Sequence, residues 1–163
     1  MIDPVTILMV LRIVAALFLG MLIGAERIAR HKAAGIRTYA LVAMAAALFV
    51  VISELVIRQY LPSGSMGGFI SISPVIVLGS VISGVGFLGA GLIIHTKEHV
   101  DNLTTACAVW AAAAVGVACG FGYVFIALCA TLLILFILSG TRGFEDWLKT
   151  KSPLDPGNYP PKK

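Results

Sequence analysis

The sequence predicts an all-α membrane protein: a bundle of five transmembrane helices, N-terminus outside and C-terminus cytoplasmic. Three observations lead there. The 163-residue chain is 59% hydrophobic and 12% charged, with a mean hydropathy of +0.99. A soluble domain carries about 25% charged residues, so too few polar side chains remain here to cover a soluble surface. The apolar residues fall into five segments, and the basic residues gather on one side of them.

The first segment runs Val5–Ala25, the second Tyr39–Ile57 and the third Val75–Ile94. A longer apolar run, Leu103 to Leu138, exceeds the roughly 20 helical residues that cross a bilayer core. Gly120-Phe121-Gly122 breaks it, giving Leu103–Cys119 and Phe121–Leu138. Helix is the expected form, because each span must satisfy its own backbone polar groups in lipid. Met1-Ile2-Asp3-Pro4 lacks the basic flank of a cleaved signal peptide, so the first segment is expected to be retained.

Orientation follows from Lys and Arg. With the N-terminus outside, the inner side holds Arg27, Arg30, Lys32 and Arg37, then Lys97, then Arg142, Lys149, Lys151, Lys162 and Lys163. Between spans, the outer side holds only Arg58. Positive charge concentrates on the cytoplasmic side of membrane proteins. The Gly/Ser/Pro-rich stretch Arg58–Pro74 is then an external connector, and the proline-rich end of the chain reads as a disordered tail. No basic surface is interleaved with exposed aromatics, so nucleic-acid binding is not expected.

The stretch SGVGFLGAG, Ser83–Gly91, matches the G-x-G-x-x-G dinucleotide fingerprint. That motif needs a preceding strand, a following helix and an acidic residue about 20 positions on. Here the glycines lie within an apolar segment, so no dinucleotide cofactor is expected. Gly79, Ser83, Gly86 and Ala90 share one helical face, with Ser80, Gly84 and Gly91 beside it. Small residues let membrane helices approach closely. This face is expected to pack inward, with Leu78, Val81, Val85, Leu88 and Leu92 toward lipid. A second reading has the glycines shaping a polar site or a moving element. The first segment carries a similar small row, Ala16, Gly20 and Gly24, and the fourth carries Ala111–Ala114 and Gly116.

Two intramembrane charges stand out. Arg12 lies roughly 10 Å inside the first span, on the row of Ala16 and Gly20, and Glu54 lies at a similar depth on the second. An ion pair inside the bundle is one reading. In the other, Arg12 snorkels outward and Glu54 pairs with Arg58 four residues on. At the inner face, Glu26 and Arg27 close the first segment and Arg37 and Thr38 open the second; one reading pairs Glu26 with Arg37, another brings either residue to the inner end of the third segment near His95, and the plain alternative is an interfacial anchor.

No catalytic constellation is present, and no enzyme activity is expected. His95 and His99 have i, i+4 spacing, but in a loop-like stretch without convergent ligands, so no metal site is assigned. Cys107, Cys119 and Cys129 lie in apolar runs, outside any metal-site spacing, and are expected to be buried thiols.

Four stretches together, LGMLIGAER (19–27), AAGIRTYALV (33–42), SGVGFLGAGLII (83–94) and LTTACAVWAAAAVGVACGFG (103–122), resemble the membrane domain of the MgtC/SapB family of bacterial inner-membrane proteins. The resemblance implies a transmembrane domain over 1–140 and a short cytoplasmic tail over 141–163. It carries the family pattern onto Gly20, Gly24, Glu26, Arg27, Gly35, Arg37, Thr38, Gly84, Gly86, Gly89, Gly91, Thr104, Thr105 and Trp110. The sequence departs from that pattern at Ile76, Ser80, Asn102 and Ala108, where members often carry Arg, Gln, Gly and, in some, Asp. No counterpart of the cytoplasmic regulatory domain of longer members is expected within these residues.

For function, the resemblance implies a regulator tied to magnesium or cation homeostasis, stress adaptation and survival in host cells. It would act in the bilayer through another membrane protein. The F-type ATP synthase is the partner proposed for one member, and homo-oligomerisation stays open. The alternative is a transporter or channel for Mg²⁺ or a small solute.

Overall fold

The structure, a computed structural model, describes residues 3–60, 74–95, 100–141 and 147. Five helices dominate it: α1 Pro4–Ala29, α2 Ile36–Tyr60, α3 Pro74–Leu92, α4 Leu103–Gly120 and α5 Val124–Gly140. Between α3 and α4 the chain forms a two-residue antiparallel hairpin, Ile94–His95 with Val100–Asp101. The expected segments are all present, and α1 and α2 run on past the apolar residues that announced them.

Local signals explain the helix ends. Asp3 caps α1 by accepting from the Val5 N–H at 3.5 Å, and Pro4 occupies the first turn, where its missing N–H costs nothing. Past the C-terminus of α1, His31 takes a left-handed φ of 52°. Gly122, at φ +87°, makes the turn between α4 and α5, as its place in Gly-Phe-Gly suggested.

Helices α1, α2 and α4 form the centre of the bundle, with α3 packed on α4 and α2, and α5 on α4 and α1. Alanine and valine fill this centre: Ala16, Ala43, Ala47, Val50, Ala112 and Val109 are buried. The small rows of α1 and α4 do what was expected of them. A Cβ at Gly20 would lie 2.6 Å from the Tyr39 carbonyl oxygen, one at Gly120 would lie 2.8 Å from that of Ala47, and one at Gly116 would collide with the Ala43 carbonyl. Only glycine permits that approach of backbones.

In α3 the expectation is reversed, except at Leu88, which is exposed as expected. Val81, Val85 and Gly89 are the buried residues, and Leu78 and Leu92 are half-buried. Gly79, Ser83, Gly86 and Ala90 are exposed, and added Cβ atoms at Gly79 and Gly86 would meet nothing within 4 Å. The larger side chains seat α3 on its neighbours, and the small face points out of the bundle. Both assignments satisfy the same helical periodicity; the position of α4 and α2 decides between them.

Three helical stretches, Pro4–Ala29, Ile36–Gln59 and Leu103–Gly120, are long and apolar enough to cross a membrane. The apolar stretches Ile76–Leu92 and Val124–Gly140 are shorter, about 25 Å against a bilayer core of about 30 Å. Large apolar side chains cover the outside, among them Phe18, Phe49, Phe87, Phe125 and Phe136. Hydroxyls within the apolar helices are satisfied locally: Thr131 and Ser139 donate to carbonyls four residues back, at 2.8 and 2.6 Å. The thiols divide, since Cys119 is buried but Cys107 and Cys129 are exposed. They lie on outward faces of α4 and α5, where apolar character alone does not mean burial. The connector over 61–73 and nearly all of the tail lie outside the described residues.

Candidate functional site

Polar groups collect at the two ends of the bundle. At the end formed by the C-termini of α2 and α4, Arg12 Nη1 donates to Glu54 Oε2 at 3.0 Å and to the Gly120 carbonyl at 3.3 Å. Arg58 Nη2 donates to the other carboxylate oxygen, Oε1, at 2.6 Å. The two sequence readings of Glu54 are therefore realised together, one on each oxygen. Arg12 and Glu54 keep 18% and 29% of their side-chain surface, so the pair sits at the rim of the bundle rather than in its dry centre. The Arg12 guanidinium also lies against Gly122, where a Cβ would come within 3.1 Å of its central carbon. One cation thus ties α1 to α2 and to the α4–α5 turn.

At the opposite end, Arg27 is 1% exposed. Its Nε donates to Glu26 Oε2 at 2.5 Å, and its Nη2 reaches the Leu138 carbonyl at 3.5 Å. Arg30 Nε stands 3.4 Å from Glu26 Oε1. That distance serves charge attraction, yet Oε1 is buried and has no hydrogen bond among the described residues. Beside this cluster Tyr39 is fully buried, and its hydroxyl donates to the Thr105 carbonyl at 3.3 Å. Gly24 lets α1 meet the start of α2, since a Cβ there would lie 2.6 Å from Ile36 Cα. Gly35 packs under Ile28, whose Cγ1 would be 2.9 Å from an added Cβ.

The motif residues Gly24, Glu26, Arg27, Gly35 and Thr105 thus converge on one end of the bundle. Arg37 and Thr38 are exposed, and the Glu26–Arg37 pair is absent: Glu26 turns to Arg27 and Arg30 beside it in sequence, and Arg37 makes no ion pair among the described residues. Thr104 and Trp110 are exposed on α4. Of the α3 glycines only Gly89 is seated, 3.8 Å from the Ala106 carbonyl by its added Cβ, while Gly84, Gly86 and Gly91 are open. Sequence reasoning missed Tyr39, although a phenol at the start of an apolar span needs a partner when buried. It also missed the carbonyls of Gly120 and Leu138, which no side-chain pattern announces. Asn102 adopts φ 63° and ψ 13°, a left-handed conformation that glycine adopts freely and Asn tolerates.

The arrangement of these motifs has relatives. The MgtC family matches residues 13–147, from within α1 to beyond α5. This chain belongs to the MgtC family. Protein MgtC of Brucella abortus is 46% identical over 122 residues, covering 75% of this chain and 46% of the relative. Protein MgtC of Salmonella typhimurium is 41% identical over 126 residues, covering 77% and 49%. A protein of Haemophilus influenzae, described as uncharacterized, is 34% identical over 151 residues, covering 92% and 62%. The MgtC-family chain therefore spans about half the length of the MgtC relatives it matches. No solved structure matches it. Family membership and the long apolar helices together make it an MgtC-type membrane protein.

Proposed function

We propose that this MgtC-family chain is a non-enzymatic regulator in the bacterial inner membrane. It crosses five times, with the N-terminus outside and the C-terminus cytoplasmic, and acts through helix contacts with another membrane protein in magnesium or cation homeostasis or stress adaptation. The ATP synthase enters as a partner by family analogy only.

The observation that supports this reading is the outward small face of α3. Gly79, Ser83, Gly86 and Ala90 are exposed in a bundle that seats α3 by its other side. Small residues give membrane helices close backbone contact, and here no described element of the chain uses them. Intramembrane charge, by contrast, is committed to structure: Arg12 and Glu54 neutralise each other.

A photo-crosslinking residue at Gly86 should capture a membrane protein in intact cells, whereas one at Phe125, outward on α5, should not. Equal capture at both sites would remove the support that the α3 face gives. Orientation is tested in a cysteine-free background: an impermeant reagent should label a cysteine at Ser65 from outside and leave one at Ala33 unlabelled. Mg²⁺ flux through proteoliposomes of the pure chain would favour the transporter reading instead.

A further inference from the structure

Away from the small face, α2 and α3 diverge around an apolar cleft of about 810 Å³. Val42, Phe49 and Val56 line it from α2, and Val77, Gly84 and Leu88 from α3. Its hydroxyls are already used: Ser53 donates to the Val50 carbonyl at 2.7 Å and Ser80 to the Ile76 carbonyl at 3.0 Å. A cleft so lined offers nothing to an ion. Its α2 wall runs from Leu41 to Val56, roughly 22 Å at helical rise, about the length of an extended acyl chain. A long, apolar cleft of this kind suits a hydrocarbon chain.

One end of the cleft carries positive charge. Leu41 and Val42 begin its α2 wall, and one helical turn before them come Arg37 and Thr38. Residues four apart share a helix face, and side chains lean toward the helix N-terminus. Arg37 therefore stands one helical turn beyond Leu41, at the edge of this end of the cleft. It is exposed, and unlike Arg12, Arg27, Arg30 and Arg58 it makes no ion pair among the described residues.

We infer that this cleft is a binding site for an anionic phospholipid, with an acyl chain between α2 and α3 and the headgroup phosphate held by Arg37. Gly84 provides room: a Cβ there would meet nothing within 4 Å, so the cleft stays open where a larger residue would fill it. The site lies on a different side of α3 from the small face and does not depend on the protein partner proposed above.

Native mass spectrometry of the full chain, solubilised with equal phosphatidylglycerol and phosphatidylcholine, tests the site. The wild-type chain should retain phosphatidylglycerol preferentially. Arg37→Gln should lower that preference about fivefold, as expected for one basic residue near an anionic headgroup, while Arg37→Lys should keep most of it. Gly84→Leu should reduce retention of both lipids, with Gly79→Leu, on the open face, as the matched control. Unchanged preference in Arg37→Gln, or equal retention in Gly84→Leu and Gly79→Leu, would overturn the assignment. So would a lipid-free dimer, which would make a second copy the occupant.

Discussion

Arg12 on α1 and Glu54 on α2 meet at 3.0 Å, and the same guanidinium bonds the last carbonyl of α4. A single side chain therefore joins three helices at one end of the bundle. Because Arg58 holds the second oxygen of Glu54, the carboxylate keeps one cationic partner when either cation is removed alone.

Arg12→Ala should accordingly destabilise the protein by about 2 kcal/mol, between the value of a surface pair and that of a buried one. Glu54→Gln should cost less, because the amide still accepts from Arg12. Reversible unfolding in bicelles, arranged as a double-mutant cycle, measures the coupling. A coupling near zero would mean that Arg12 acts through the Gly120 carbonyl alone.

Arg27 should tolerate substitution least among the charged residues. Its removal leaves Glu26 with Arg30 alone, 3.4 Å from an Oε1 that lacks a hydrogen bond, and frees the Leu138 carbonyl. Arg27→Met should cost about 3–5 kcal/mol, in the range for breaking a buried pair. The double variant Arg27→Met with Glu26→Gln should recover part of that loss. Accumulation in membranes and the thermal midpoint in detergent report both, and a double variant no better than the single would show that packing, not the under-paired Glu26 carboxylate, sets the cost.

Gly116 and Gly86 offer a contrast within one residue type. Gly116→Ala drives a methyl group into the Ala43 carbonyl and should cost about 1–3 kcal/mol. Gly86→Leu meets open space and should stay within about 0.5 kcal/mol of the parent in the isolated chain. Equal losses in the two variants would contradict the outward placement of the α3 small face.

Asn102 at φ 63° gives a prediction of opposite sign. Asn102→Gly should be neutral or stabilising, whereas Asn102→Val should lose about 1–2 kcal/mol, because a β-branched residue resists the left-handed region. Chemical denaturation of the three proteins side by side checks the order.

Much of the site was legible because some residues carry their own requirements. A charge in an apolar span must find a partner, so Arg12 and Glu54 could be joined from depth and face alone. The family resemblance singled out Gly24, Glu26, Arg27 and Thr105, but that they meet at one end of the bundle came only from the structure. Glu26 and Arg37 were harder, because two charges at one interface have several partners within reach and the helix ends choose among them. Here α1 continues to Ala29 and offers Glu26 two cations beside it in sequence.

The sequence by itself determined the five helical segments, the break at Gly120-Phe121-Gly122 and the close crossings at Gly20 and Gly116. These follow from local hydropathy, from the conformational freedom of glycine and from small residues clustered on one row. Only the tertiary structure decided which face of α3 is buried, that Glu54 serves two arginines, and that a cleft opens between α2 and α3. The reason is physical. In a bilayer, lipid is as apolar as Leu or Val, so hydrophobicity does not tell an inward face from an outward one. Packing against α4 and α2 makes that choice, and the periodicity of α3 contains no record of where those neighbours stand.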